Sequence, residues 1–156
     1  MMNTEISILF PHQLFQKNKA LASGRAVYII EEYLFFNQYA FHKQKLILHR
    51  ASMKAYSDEL IKKGFTVTYI SASDPNADIR TCISTLAQKG IHKIHVTDPT
   101  DEWLMKRMQK AGKKNHIELF LYTNPNFINT PQEIHDHFSG KKNYFQTDFY
   151  IQQRKQ

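Results

Sequence analysis

The sequence predicts an α/β fold with a doubly wound, mainly parallel five-stranded sheet in the order 3-2-1-4-5 and helices on both faces. Short apolar runs alternate with longer segments of helical periodicity, at the spacing of βαβ units. Most of the five glycines follow such a helical segment, where glycine commonly ends a helix. With 156 residues, 42% of them hydrophobic, the chain is long enough for one substantial core.

The five strands are predicted from apolar runs rich in β-branched and aromatic residues. Crossovers between parallel strands are right-handed, and two sets of them wound in opposite directions give the order 3-2-1-4-5. The predicted strands cover residues 5–10, 26–32, 65–71, 91–96 and 116–122.

Helices are predicted between and after these strands from their periodicity and end signals. A long helix spans residues 40–63 before Gly64, a second runs from Asp74 and Pro75 to Lys89 before Gly90, and a third covers 101–111 before Gly112. A short helix begins with Thr130 as N-cap and Pro131 at its first position, and another begins within residues 146–156.

Composition sets limits on function. Lys and Arg number 21 against 14 acids, a net charge of +7, which either serves solubility or matches a polyanion or an acidic partner. The single cysteine, Cys82, excludes an internal disulfide and suits a reducing cytoplasm. No apolar stretch approaches the ~20 residues that span a bilayer, so no membrane partner is expected.

No catalytic signature is present. Neither GxGxxG nor GxxxxGK[ST] occurs, which argues against a standard dehydrogenase or kinase, and no nucleophile elbow is found. His92 and His95 point to opposite faces of one strand, and His135 and His137 lie roughly 200° apart on a helix, so neither pair has zinc-site spacing. We therefore expect no metal site and no catalytic residues in this chain.

The loops after the first, second and fourth strands are where such a sheet binds ligands. Aromatic residues after the second strand either cap the core or stack on a planar heterocycle, with Gln13, Glu31 and Gln38 as polar neighbours. The predicted binding set from the first two loops is Pro11, His12, Gln13, Glu31, Tyr33, Phe35, Phe36 and Tyr39.

The segment FHKQKLILHRASMKAY, residues 41–56, is a helix with six basic or histidine side chains and no acid. An ordinary surface helix has one apolar stripe and mixed charges on its other face. Because the helix starts near the predicted pocket, His42 and Lys45 complete the candidate binding set, in a buried or interfacial role rather than in direct phosphate contact.

Three segments give the chain a family resemblance. ILFPHQLF (8–15), VYIIEEYLFF (27–36) and FHKQKLILHRASMKAYSDELIKKGFTVTYI (41–70) resemble the deoxyribodipyrimidine photolyase-related family, the iron–sulfur members of the cryptochrome/photolyase superfamily. Weaker similarities are Glu102-Trp103 after the fourth strand and FYIQQRK at 149–155.

The resemblance implies a domain of a larger repair protein. Residues 1–145 would be the N-terminal α/β antenna domain, and 146–156 a helix leading toward a C-terminal domain that holds FAD and a [4Fe–4S] cluster. One cysteine cannot supply the four thiolates of the cluster. The implied partners are therefore the FAD domain of the same parent chain and, through the full-length protein, DNA. The parent resembles a photolyase, a DNA-repair lyase, whereas this chain alone is not expected to catalyse.

The resemblance also implies an antenna chromophore of the lumazine or deazaflavin type. Lumazine-binding relatives carry Gly-Asp-Gln-Leu after the first strand, whereas this chain has Pro11, His12, Gln13 and Leu14. Leu34 and Phe35 replace smaller or acidic residues after the second strand. The pocket then either holds a different chromophore or is filled by its own aromatic side chains. A free-standing nucleotide- or small-ligand-binding module is the alternative function, and a remnant that binds nothing is a third.

Overall fold

The computed structural model describes residues 4–155 and contains two compact units, residues 1–124 and 125–156. The first unit contains the whole sheet. The predicted boundary at residue 145 falls inside the second unit.

The sheet has the predicted topology. Its five strands are all parallel in the order 3-2-1-4-5, with Ile6 of the central strand beside Ala26 on one side and Ile94 on the other. The strands are β1 (Glu5–Leu9), β2 (Ala26–Ile30), β3 (Val67–Ile70), β4 (Lys93–Thr97) and β5 (Glu118–Tyr122).

The helices of the first unit are α1 (Tyr33–Phe36), α2 (Lys43–Lys62), α3 (Ile79–Gln88) and α4 (Glu102–Lys114), with a 3-10 turn at Pro75–Ala77 before α3. The sequence did not predict α1. Its N-cap is Glu32, whose carboxylate accepts a hydrogen bond from the Leu34 amide at 2.5 Å. The second strand therefore ends at Ile30 rather than at residue 32.

The sheet buries side chains on both faces, as a doubly wound fold requires. Ile6, Ile8 and Phe10 of the central strand and its extension lie in one hydrophobic cluster with residues of α3 and α4. Leu9, on the opposite face, packs in a second cluster with Met53 and Leu60 of α2. The alternation along β1 thus divides the core into two layers.

Gly112 is not the helix stop that the sequence predicts, because α4 continues through it to Lys114. A Cβ at this position would lie 3.1 Å from the carbonyl oxygen of Ile117. Glycine therefore serves close packing between α4 and the start of the following strand, whereas Gly64 and Gly90, with φ of 87° and 80°, do end helices as predicted.

The second unit contains α5 (Pro131–Phe138) and α6 (Gln146–Gln153). Thr130 and Glu133 form a reciprocal capping box at the start of α5, which confirms the predicted N-cap. The ring of Phe149 packs against His137 and Phe138, with centroids 4.9 and 5.4 Å apart. Neither helix has a buried residue.

Candidate functional site at the carboxyl ends of the strands

The loops after β1 and β2 meet at the carboxyl edge of the sheet, as predicted. The His12 ring contacts the Phe35 ring edge-on, with centroids 5.0 Å apart, and lies parallel to Phe10 at 6.4 Å. His12 and Phe35 are half-buried, and Pro11 beside them is buried. The two loops therefore share one partly open aromatic surface.

His12 is a neutral imidazole with one nitrogen available. Its Nε2 lies 2.9 Å from the carbonyl oxygen of Pro99, which can only accept, so Nε2 carries the proton. Burial lowers the pKa of His12 below its usual value, although the Pro99 contact and Asp101 act in the opposite direction. No side chain or backbone group within residues 4–155 hydrogen-bonds to Nδ1, whose lone pair can accept a hydrogen bond from a ligand.

Gln13 is engaged within the fold. Its side chain is fully buried, donates to the carbonyl oxygen of Thr97 at 2.6 Å, and accepts from the Phe10 amide at 3.3 Å. Asn18 continues this network, since its amide donates to the Gln13 carbonyl and its oxygen accepts from the Thr97 hydroxyl. Gln13 and Asn18 thus join the ends of β1 and β4, where the winding direction of the sheet reverses.

Glu31 is likewise satisfied internally. Arg50 of α2 donates to both carboxylate oxygens at 2.7 and 2.6 Å, and the Tyr69 hydroxyl and the Ala72 amide donate at 2.7 and 2.8 Å. Burial by itself would raise the pKa of Glu31, but these donors outweigh it and lower the pKa. The basic α2 helix thus places one of its cations against a fully buried carboxylate.

Glu32, the next residue, was not among the predicted site residues and is equally buried. Its carboxylate faces the amide of Leu34 and, at 3.4 Å, that of Ile79 at the start of α3. Burial raises the pKa of Glu32 to about 7, while those amides and Arg107 of α4 act in the opposite direction. The feature of the sequence that could have indicated Glu32 is that it is the second of two consecutive acids directly after an apolar strand.

The predicted aromatic residues separate into different environments. Phe36 is buried against Leu9 and Met53 and forms part of the core. Tyr33 and Tyr39 are exposed, at 36% and 59% of their full surface. The Tyr33 ring lies 5.8 Å from the guanidinium of Arg107, whereas Tyr39 contacts Phe41 edge-on at 6.0 Å. The exposed aromatic rings are therefore those of Tyr33 and Tyr39, with Phe35 partly accessible.

His42 and Lys45 lie at the exposed start of α2. His42 is the N-cap, and its Nδ1 accepts from the Gln44 amide at 3.2 Å. The Lys45 ammonium lies 4.0 Å from the centre of the Phe41 ring, a cation–π contact. Both side chains have local structural partners at this helix end.

Other kinds of site lack support among residues 4–155. No group of three or more His, Cys, Asp or Glu side chains there is placed to hold a metal ion. Cys82 is buried, which raises the pKa of its thiol to about 12 and leaves it protonated. None of the helices in that range is long and apolar enough to cross a bilayer.

The family is settled by comparison with known proteins. The model of the deoxyribodipyrimidine photo-lyase-related protein family matches residues 7–156. The chain belongs to this family. The resemblance read from residues 8–70 is confirmed at that level.

A viral protein is among the relatives of this family member. Uncharacterized protein R852 of Acanthamoeba polyphaga mimivirus is 27% identical over 161 residues, an alignment that covers 96% of this chain and 81% of the relative. Because 161 residues make up 81% of that protein, it is about 200 residues long. The viral relative is therefore similar in length to this chain of 156 residues.

Proposed function

We propose that this chain is the N-terminal antenna-chromophore-binding domain of a photolyase-related DNA repair protein of the iron–sulfur type. The observation that supports it best is the His12–Phe35 contact, which joins two loops at the carboxyl edge of a doubly wound sheet. That edge is where such sheets bind planar ligands. Family membership supports the same assignment.

The residues at this edge fit a heterocyclic chromophore of the lumazine or deazaflavin type. Tyr33 and Phe35 offer ring faces, each stacked contact adding roughly 0.5–1.5 kcal/mol beyond area burial. The free Nδ1 of His12 accepts one ring N–H. Gln13 and Glu31 hold the surrounding loops instead of contacting the ligand, since their polar atoms are already paired.

The bound chromophore would supply absorption of near-UV or blue light and transfer of excitation to a second pigment. The second pigment, FAD, and the [4Fe–4S] cluster belong to a domain other than this one. With one cysteine, the chain does not fit the four-thiolate donor set of the cluster.

A chromophore titration tests this proposal. The full chain is titrated with 6,7-dimethyl-8-ribityllumazine, a deazaflavin and a flavin, and ligand fluorescence is recorded. We expect one of them to bind, and the substitutions Tyr33→Ala and His12→Phe to weaken it about tenfold each. His12→Phe retains an aromatic ring and removes both nitrogens, the Nδ1 acceptor and the Nε2 donor to the Pro99 carbonyl. Binding should also weaken when acid protonates His12, because its Nδ1 then donates.

Phe127→Ala is the matched control, because Phe127 is an exposed aromatic residue of the other unit. It should leave binding unchanged. If none of the three ligands binds, the antenna proposal is wrong. If one binds and both site variants bind it as tightly as the natural chain, the site is misplaced.

A free-standing small-ligand-binding module is the second candidate. The length of the viral relative favours it, because a protein of about 200 residues has little room for a large additional helical domain. Stoichiometric binding of a nucleotide, with no binding of the three chromophores, would support this candidate over the antenna.

A further inference from the structure

A second candidate site lies between α3 and α4, and its Arg107 lies beside Tyr33 of the first site. A cavity of about 370 Å³ opens there. Its polar lining is strongly basic, and no aromatic or acidic side chain lines it. We define the α3–α4 cleft by its five cationic side chains: Arg80, Lys106, Arg107, Lys110 and Lys114.

The positive charge of the cleft is only partly balanced. Arg80 pairs with Asp78, and Lys106 pairs with Glu102. Among the described residues, no carboxylate forms an ion pair with Lys110 or Lys114. Five cations with two paired acids and the buried Glu32 carboxyl beside Arg107 leave a local excess of about two to three charges. Like charges four apart on a helix also repel one another.

Arg107 has a buried hydrogen-bond donor that the described part of the fold leaves unused. Its Nη1 is buried and has no hydrogen-bond partner within residues 4–155. A buried donor without a partner is costly and is generally satisfied by a ligand, an ion or water. Arg107 also lines the cavity, so its guanidinium could turn this unused donor toward an anion bound there.

The spacing of the lysines suits a row of anions. Lys106, Lys110 and Lys114 are four residues apart, so they follow one face of α4 at intervals of about 6 Å and extend over about 12 Å. That distance exceeds the size of one phosphate. Because no aromatic residue lines the cleft, it lacks the stacking platform that a base or flavin ring would use.

We propose that the α3–α4 cleft binds consecutive phosphate groups, as carried by a nucleic-acid strand or by a free polyphosphate chain. Lys110 and Lys114 bind successive phosphates, and the guanidinium of Arg107 donates from the wall of the cavity. The contacts are to the backbone, so binding is independent of base sequence. This proposal does not depend on the antenna proposal. Arg107 lies 5.8 Å from the Tyr33 ring, so the variants of Lys110 and Lys114, which leave that contact in place, are the ones that separate the two functions.

The test measures binding of the full chain to fluorescently labelled 20-nucleotide single strands and duplexes by anisotropy, over 50–200 mM salt. The double substitution Lys110→Gln with Lys114→Gln removes two phosphate contacts. Each contact contributes about 0.7–0.9 to the slope of log K against log salt. We therefore expect that slope to fall by about 1.4–1.8 and affinity at low salt to fall about tenfold or more.

The matched control removes the same charge elsewhere. Lys43→Gln with Lys62→Gln alters two exposed lysines of α2, which have no ion pair among the described residues. It should change affinity less than twofold. Equal losses in the two double variants would overturn the proposal, because binding would then follow net charge alone, and so would absence of binding at 50 mM salt.

Inorganic tripolyphosphate distinguishes the two sources of phosphate. If it displaces the strand as well as unlabelled strand does at equal phosphate concentration, the site takes a free polyphosphate chain. If it displaces the strand only at much higher concentration, the site takes nucleic acid. Arg107→Gln should weaken whichever of the two ligands binds, and an unchanged affinity would contradict the role given to Arg107.

Discussion

The carboxyl edge of the sheet and the α3–α4 cleft are both rich in polar side chains, but they use them differently. At the carboxyl edge, Gln13, Asn18 and Glu31 have their polar atoms paired within the protein. In the cleft, Lys110, Lys114 and one nitrogen of Arg107 have no such pairing among the described residues. Polar groups paired inside the fold stabilise it, whereas unpaired groups at a cavity remain available to a ligand.

This difference assigns separate tasks to the two regions. Substitutions in the carboxyl-edge network, defined as Gln13, Asn18, Glu31, Glu32 and their partners, should lower the free energy of unfolding. Substitutions of the unpaired cleft lysines, Lys110 and Lys114, should lower affinity for phosphate and leave stability nearly unchanged.

Arg50→Met should be the most damaging change. Glu31 is fully buried, so removal of Arg50 leaves a buried carboxylate with only Tyr69 and Ala72 as donors. Loss of one partner from a buried ion pair costs about 3–5 kcal/mol. Because the Arg50 side chain is 55% exposed, solvent screens part of this pair. We therefore expect the low end, roughly 3 kcal/mol in the free energy of unfolding from urea denaturation. Lys43→Met, an exposed cation at the start of the same helix, is the control and should cost less than about 0.5 kcal/mol. Equal effects would mean that the Glu31 pair contributes nothing specific.

Glu32 should make stability depend on pH. Its pKa is raised from 4.5 to about 7 by burial, so the folded protein holds the proton more tightly than the unfolded chain between those values. Its stabilising contribution is complete below pH 4.5 and is lost as pH rises through 7. At 1.36 kcal/mol per pKa unit, the full loss is roughly 3 kcal/mol at most.

The variant Glu32→Gln isolates this effect, because glutamine can still accept from the Leu34 amide but does not ionise in this range. The difference in unfolding free energy between the natural chain and the variant should move in favour of the variant from pH 4.5 to 7.5. His12 has the opposite sign, since its lowered pKa makes stability rise with pH, and it is common to both proteins. A difference that stays constant with pH would contradict the raised pKa.

Gln13→Leu should be intermediate in cost. It leaves the Thr97 carbonyl and the Phe10 amide without their side-chain partner in a buried site, a loss of about 1–3 kcal/mol. Gln16→Leu, an exposed glutamine in the same loop, should change stability by less than about 0.5 kcal/mol. If Gln13→Leu were neutral in urea denaturation but abolished chromophore binding, Gln13 would be a ligand contact after all.

Much of the fold could be predicted from the sequence, because strand order follows from general rules. The βαβ spacing and the right-handed crossover determine the order 3-2-1-4-5 without any side-chain detail. The role of Gly112 could not be predicted from the sequence. A glycine before a strand looks like a helix stop, and only the position of Ile117 reveals that it is required for close packing.

The candidate site was less accessible to sequence reasoning. The meeting of His12 and Phe35 follows from topology, because the loops after two neighbouring parallel strands share one edge. Whether the side chains of Gln13 and Glu31 face a ligand or are paired within the fold depends on Thr97 and Arg50, which are far away in sequence. Arg107 lies in an ordinary basic segment, and nothing in its neighbours indicates a buried, unpartnered nitrogen.

Lys110→Gln should have the smallest effect on stability, in the opposite direction to the others. Lys110 lies between Lys106 and Lys114 on α4, and like charges at this spacing cost about 0.2–0.5 kcal/mol per pair. Removal of the central charge should therefore raise the free energy of unfolding by a few tenths of a kcal/mol at low ionic strength. The gain should shrink as salt screens the lysines, with a Debye length of about 10 Å at 0.1 M. Thermal unfolding at 10 and 500 mM salt measures both effects, with Lys62→Gln as the control on α2.

A loss of stability would show that Lys110 has a partner within the fold, and the cleft would then resemble the carboxyl edge. A gain, together with weaker phosphate binding, is the pattern expected where charges are kept unpaired for a ligand at a cost to the free protein.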